Sequence, residues 1–309
     1  MSKIGIGVDI GGSHIVCCAI DMASGQPIAD THAEEKVNNK GTRDEILETW
    51  AKAINKTIAT IDVASLAGIG FAMPGPFRYK IGVAMFEGTD KYEKLYNVDI
   101  KAHLSPFLSV QNIEMRFIND ASAFAVGTAW FGEAKNTKRS ISITLGTGFG
   151  SALVDNDLPV VVREDAPEHG CFWPIPYKEG IADDYFSTRW FVNAYERLTG
   201  EKVKGVREVA MKAEKGNQFN ALFIEFGENM ADFMIPWLKK FKPEVLVIGG
   251  NVSRAFDLFY PSFKEKLEES SIELKVEISK LMEEAALIGS ARLLDESFWE
   301  KVKDDLPEK

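Results

Sequence analysis

The sequence predicts an α/β fold built as two domains, each a mixed β-sheet flanked by helices, and three observations predict it. The chain has 309 residues, about twice the ~150 of a typical domain. Strand-like apolar runs alternate with helical periodicity in the later part of each half, the order of a sheet covered by helices. A strand, a glycine turn and a returning strand open the chain and recur at a constant offset of 134, which carries Gly12 onto Gly146 and Asp21 onto Asp155. The recurrence argues for internal duplication. The boundary is expected near Asn119, giving domains 1–118 and 119–300, with a helix at about 283–296 packing back on the first.

Residues 4–10 read as a strand, Gly11-Gly12-Ser13 interrupts it, and residues 15–20 return to Asp21 as the second arm of a hairpin. A turn at Ser24-Gly25-Gln26-Pro27 leads to a third extended piece. Thr42 and Glu45 form a capping box for a helix that carries Ile46, Leu47, Trp50, Ile54 and Ile58 on one face. Residues 66–72 are an apolar strand closed by Pro74-Gly75-Pro76, 101–108 a short helix, and 114–118 a strand running into Asn119-Asp120 and the Ala-rich helix 121–131. The second half starts again with strand 141–145, the turn Gly146-Thr147-Gly148-Phe149-Gly150 and strand 151–154. Strand 244–248 enters Gly249-Gly250-Asn251 and a helix bearing Phe256, Leu258 and Phe259. Strand 273–278 and helix 283–294 close the domain, and the charged tail 301–309 is expected to fray.

Thirty-six Lys and Arg against 46 Asp and Glu give a formal charge of −10, which repels nucleic-acid phosphates and anionic lipid unless a local basic patch intervenes. The richest basic run, 135–139, is too short to be one, so neither nucleic acid nor membrane is an expected partner. No stretch reaches the ~18 apolar residues of a membrane span, and strand 4–10 follows the N-terminus without an apolar leader, so the expected compartment is the cytoplasm. Adjacent Cys17 and Cys18 point to opposite faces of one strand and Cys171 stands apart, so a disulfide framework is not expected.

Glycine turns at strand ends let backbone N–H groups approach an anion, because no Cβ intervenes. Gly11-Gly12-Ser13, Gly146-Thr147-Gly148 and Gly249-Gly250-Asn251 fall at corresponding strand ends. Any one of them alone is a plain turn; the set of three points to nucleotide phosphate. Asp9, just before the first turn, is placed to hold Mg²⁺ through water, and Asp120, between a strand and a helix, to accept a hydroxyl proton. Phosphoryl transfer requires phosphate cradles, a metal and a positioned base more than covalent chemistry.

Taken together, these segments resemble the ROK sugar kinases of the actin/hexokinase/heat-shock ATPase superfamily. Val8-Asp9-Ile10-Gly11-Gly12-Ser13-His14 resembles the family's first phosphate motif, Leu145-Gly146-Thr147-Gly148-Phe149-Gly150 the second, and Gly249-Gly250-Asn251 the adenosine motif. Gly70-Phe71-Ala72-Met73-Pro74-Gly75-Pro76 is similar to the sugar loop, and Asn119-Asp120-Ala121 to the catalytic element. The resemblance implies a two-domain actin-like ATPase (ribonuclease H-like) fold, ATP and Mg²⁺ as cofactors, a hexose as acceptor with glucose first, and a homodimer. It makes Asp120 the general base and places Gly75, Pro76, Asn119, Glu168 and Asp183 on the sugar.

The departures from the family pattern carry their own expectations. Glu168-His169-Gly170-Cys171 stands where relatives have Glu-x-Gly-His, and the cysteines that follow in the family are missing. A zinc site needs about four N/S ligands, so none is expected here; Phe172, Trp173, Pro174, Pro176 and Tyr177 are expected to hold the segment by packing instead. Asp183 is one methylene shorter than the family's Glu. Phe86-Glu87-Gly88-Thr89-Asp90 replaces a Pro-Asn pair, which leaves Glu87 and Asp90 open as sugar contacts or as a solvated loop. The competing readings are a kinase for an N-acetylated hexosamine and a sugar-binding protein that has lost catalysis. A repressor of the same family is disfavoured by the first strand at Ile4 and by the acidity.

Overall fold

The computed structural model describes residues 2–213 and 217–307. Two compact units are present. One runs to Lys135 and takes in Asp157–Pro159 and the chain from Glu283 onward; the other comprises Asn136–Asn156 and Val160–Met282.

The first unit holds β1 (Ile4–Ile10), β2 (His14–Asp21), β3 (Ala33–Lys36), β4 (Leu66–Met73) and β5 (Met115–Asn119), in the sheet order β3-β2-β1-β4-β5. The tight Gly11-Gly12-Ser13 link makes β1 and β2 antiparallel, whereas β1, β4 and β5 run parallel. Parallel partners need crossovers, and the first crossover contains helix Arg43–Ile58. That helix starts where the capping box predicts: Glu45 N donates to the Thr42 side chain, and the Glu45 carboxylate accepts from Thr42 N at 2.7 Å. Its Ile46, Leu47, Trp50, Ile54 and Ile58 are all buried in the first core.

Helices Asp120–Trp130 and Glu284–Arg292 pack on each other and on the first sheet, and glycine sets how near they come. A Cβ on Gly7 would lie 2.0 Å from Leu287 O, and one on Gly70 1.9 Å from Ser290 O. Between the two helices, Cβ atoms on Gly127 and Gly289 would lie 1.9 Å from Ala285 O and 1.8 Å from Ala123 O. Backbone therefore rests on backbone. This contact keeps Asp120–Trp130 in the first unit, so the division falls after Lys135 and not at Asn119, and it brings the segment from Glu283 into the first unit as well.

The charged tail is ordered where fraying was expected. Asp295 caps helix Glu296–Val302 by accepting from Phe298 N at 3.1 Å, and Phe298, Val302 and Leu306 are buried in the first core. Three apolar residues spaced among charges are enough to hold it; Glu308 and Lys309 lie outside the described residues.

The second unit repeats the strand order. β6 (Arg139–Leu145) pairs antiparallel with β7 (Phe149–Asp155) and parallel with β8 (Val245–Gly249), which pairs parallel with β9 (Lys275–Ile278). The hairpin registers correspond too, Arg139 opposite Asp155 as Ile4 is opposite Asp21, as duplication requires. The core here is strongly aromatic: Phe149, Phe172, Phe186 and Phe233 pack with centroids 5.2–6.4 Å apart. Of the segment expected to pack, Phe172 is buried and Tyr177 half-buried, but Trp173, Pro174 and Pro176 are exposed. The short strand pair Pro176–Tyr177 and Gly180–Ile181 turns alternate side chains outward. Helices Thr188–Thr199 and Asn217–Phe241, unassigned in the sequence, complete this unit. Cys17 and Cys18 are both buried and Cys171 is half-buried, and none of the three is in a disulfide. Among the described residues no helix is long and apolar enough to cross a membrane.

Candidate functional site

In the first unit, the register brings the C-terminal ends of three parallel strands together. Asp9 pairs with Ala72 and Met73 with Asn119. Asp9, the Gly11–Ser13 turn, the loop holding Gly75 and Pro76, and Asn119-Asp120 therefore share one edge of the sheet, the end at which parallel α/β sheets deliver ligand-binding loops.

Asn119 ends β5 and caps the next helix. Its side-chain oxygen accepts from Ala121 N at 3.1 Å and Ser122 N at 3.3 Å, and its amide donates to Tyr79 Oη at 3.3 Å. Asp120 occupies the first helical position, where Ala121 N donates to Oδ1 at 2.8 Å. Water reaches Asp120, but the protein around it leaves too little solvent to hydrate the carboxylate fully. That desolvation raises its pKa, against the lowering effect of the hydrogen bonds from Ala121 and Asn119 and the charge of Lys91. Asp9 is half-buried; burial first, then the charges of Asp120 and Glu283, push its carboxyl up to about 7. The edge is thus acidic and undersolvated, a setting that favours a bound cation.

The carbonyls of the first turn are already engaged. Gly11 O accepts from Tyr92 Oη at 2.6 Å, Gly12 O from Asn39 Nδ2, and Ser13 O from Val37 N at 2.8 Å. With its acceptors tied back and Gly11 N donating to His14 O at 2.9 Å, the turn offers a ligand the N–H side of Gly12 and Ser13, as an anion cradle must. Lys91 was not anticipated. Its Nζ, Cε and Cδ lie 3.0, 3.2 and 3.3 Å from the place a Gly12 Cβ would occupy. The only sequence signal for it was the departure of residues 86–90 from the family pattern. Asp90 in that loop pairs with Lys40, which holds its carboxyl below the usual range; Glu87 is exposed. Near the Gly75-Pro76 loop, Pro76 O accepts from Met85 N at 3.1 Å, and Gly75 points its Cβ direction toward Tyr79 Oη at 3.6 Å.

In the second unit, Gly146 N donates to Gly148 O at 3.0 Å and Gly146 O accepts from Thr188 N at 2.8 Å. Thr147 and Gly148 are exposed, and a Cβ on Gly146 would meet nothing within 4 Å. The parallel register of β6 and β8 sets the third turn beside the second. Gly250 makes this possible: with φ +81°, its Cβ would fall 2.4 Å from Leu145 O at the foot of the second turn. Asn251 is exposed at the start of the turn of helix that follows, and Ser253 Oγ donates to Gly250 O at 2.6 Å. The two turns form one accessible backbone surface.

Asp183, expected on the sugar, also makes contacts within the protein. Its carboxylate accepts from Phe149 N at 2.6 Å, pairs with Arg189, and lies 3.0 Å from a Gly148 Cβ position. The shorter side chain braces the second glycine turn. Glu168 is 90% exposed, with His169 Nε2 at 3.6 Å. Cys171 Sγ donates to His169 O at 3.2 Å. Among the described residues no three His, Cys, Asp or Glu side chains gather as metal ligands.

Comparison with known proteins gives a consistent set of likenesses. The ROK family description matches residues 5–297. The chain is 24% identical to the glucokinase of Thermotoga maritima, over 94% of this chain and 97% of that one. It is 25% identical to the N-acetyl-D-glucosamine kinase of Vibrio cholerae, over 84% and 88%. Among solved structures, a ROK family glucokinase from Streptomyces griseus in complex with glucose and AMPPNP superposes with a TM-score of 0.70, at 22% identity, over 94% of this chain and 99% of that chain.

Proposed function

The chain belongs to the ROK family, and on that footing we propose that it is an ATP-dependent kinase that phosphorylates a hydroxyl of a hexose, with glucose as the first candidate. The observation that carries the reading is Asp120, a carboxylate of raised pKa at a helix N-terminus, on the same sheet edge as Asp9 and the first glycine turn. A base is most useful when its pKa lies near the working pH, and desolvation moves Asp120 in that direction.

In this reading Asp120 takes the proton of the acceptor hydroxyl as its oxygen bonds the γ-phosphorus and the bond to ADP breaks. Gly75, Pro76 and Asn119 orient the sugar, with Glu168 as a further contact. Gly12 and Ser13 receive the phosphoryl group through their N–H groups, and Gly11, whose own N–H donates to His14 O, shapes the turn that presents them. Gly146, Thr147, Gly148, Gly249, Gly250 and Asn251 hold the nucleotide, and Asp183 stiffens the turn that does so. Asp9 fits Mg²⁺: this ion keeps most of its waters and uses one or two protein carboxylates, so no cluster of three is required. When bound, Mg²⁺ supplies charge neutralisation on the phosphates.

The cytoplasm and a homodimer complete the proposal, the homodimer resting on the family resemblance. The likeness to the Vibrio enzyme favours an N-acetylated hexosamine as the second substrate reading. Coupled ADP release, measured with ATP over a panel of hexoses and hexosamines, tests all of this. Turnover with glucose supports the main reading and turnover restricted to hexosamines the second; none with any sugar replaces both with a binding protein.

A further inference from the structure

We propose that Lys91 is a further catalytic residue, whose ammonium binds the phosphoryl group while it passes from ATP to the acceptor. The inference rests on the kinase reading above and adds a cationic side chain to the groups it names.

Three atoms of the Lys91 side chain lie along Gly12, 3.0–3.3 Å from its absent Cβ, so the ammonium stands on the turn whose N–H groups would meet phosphate. Its position is fixed by its neighbours. Tyr92 is fully buried, edge-on to Trp50 at 5.5 Å, and its Oη holds Gly11 O. Tyr92 N donates to Asn39 O at 2.9 Å, while the Asn39 amide holds Gly12 O, so the lysine's neighbour and the turn share one brace. Tyr92 also has φ +57°, a left-handed backbone that a bulky residue adopts only where its surroundings impose it. On the other side, Thr89 Oγ1 donates to Lys91 O at 2.8 Å. Nearby Lys40 is consumed by Asp90, whereas the Lys91 ammonium has no ion-pair or hydrogen-bond partner among the described residues.

The chemistry gives such a group a role beside Mg²⁺. Asp9, Asp120 and Glu283 impose negative potential where a phosphoryl group carrying negative charge must arrive, and the turn itself supplies only dipoles. A lysine answers as a compact point charge on phosphate oxygen. Lys91 takes no part in the proton transfer: the acceptor oxygen bonds phosphorus, the bond to ADP breaks, and the proton goes to Asp120. The charge of Lys91 already reaches Asp120, whose carboxyl it lowers.

The test compares wild type, Lys91→Met and Lys91→Arg as full-length proteins by kcat and KM for ADP release, Kd for ATP by calorimetry, and Tm. In Lys91→Met, kcat should fall about 100-fold, the loss typical of one donor to developing charge, and Tm should not move. ATP binding should weaken about two- to fivefold, the range of an exposed charge pair, and Lys91→Arg should recover part of both. Unchanged kcat and Kd in Lys91→Met overturn the proposal. If wild type phosphorylates no sugar, the kinase reading fails on its own, and calorimetry decides for Lys91: weaker ATP binding in Lys91→Met supports it as a phosphate ligand, equal binding overturns it.

Discussion

Replacing Gly127 with alanine isolates the contact that fixes the helix carrying Asp120. A Cβ there would sit 1.9 Å from the Ala285 carbonyl oxygen, whereas real Cβ contacts essentially never fall below 3.0 Å, so the two helices must part by at least about 1.1 Å. Both atoms belong to helix backbone or are rigidly attached to it, so no rotamer change relieves the clash. A Cβ on Gly289 would meet Ala123 O in the reciprocal direction at 1.8 Å, and separation at one crossing loosens the other. Intrinsic propensity works the opposite way, since alanine is better than glycine inside a helix by about 1 kcal/mol. Overpacking costs about 1–3 kcal/mol and more when backbone must shift, so the net expectation is a loss of about 2 kcal/mol. For a chain of this size each kcal/mol moves Tm by roughly 2–4 °C, and thermal melting should show a fall of about 4–8 °C. A variant as stable as wild type, or more stable, would refute the reasoning, because propensity alone would then account for it.

Two further outcomes follow from the same geometry. Gly146→Ala adds a Cβ that meets nothing within 4 Å, so Tm should stay within about 1 °C of wild type, while calorimetry should show weaker ATP binding because the methyl projects from the proposed phosphate turn. Asp9 has a folded pKa of about 7 against 3.8 for the ordinary carboxyl, so the folded state holds this proton more tightly than the unfolded chain. Its contribution to stability is present at low pH and lost as pH rises through about 7. Asp9→Asn should therefore gain on wild type in metal-free melts above pH 7, by at most about 4 kcal/mol, and the difference should vanish near pH 4; a gain that does not vary with pH contradicts the assignment.

Much of the fold was legible because its signals are local. The Thr42–Glu45 capping box, the apolar face from Ile46 to Ile58 and the three glycine runs each need only a few adjacent residues, and every one stands where it was read. The boundary was not local. Gly127 and Gly289 lie inside helices, where glycine is unfavourable unless another backbone must come close, and that signal places helix Glu284–Arg292 against helix Asp120–Trp130 in the first unit. Lys91, Asn39 and Tyr92 were hidden for a related reason: Tyr92 reaches Gly11 across 81 positions of chain, and no spacing rule connects a buried tyrosine to a distant carbonyl. For Asp183 the resemblance supplied a sugar contact suited to a longer carboxylate, and no spacing rule reveals that the shorter one also accepts from Phe149 N and pairs with Arg189.

The central claim is that Asp120 is the base of a sugar kinase, and replacing it with asparagine tests that most directly, since the cap formed by Asn119 is left intact. ADP release with ATP and glucose should fall by about 10²–10⁴-fold in Asp120→Asn, the contribution expected of a positioned general base, while calorimetry shows ATP bound as tightly as by wild type. Turnover equal to wild type would contradict it.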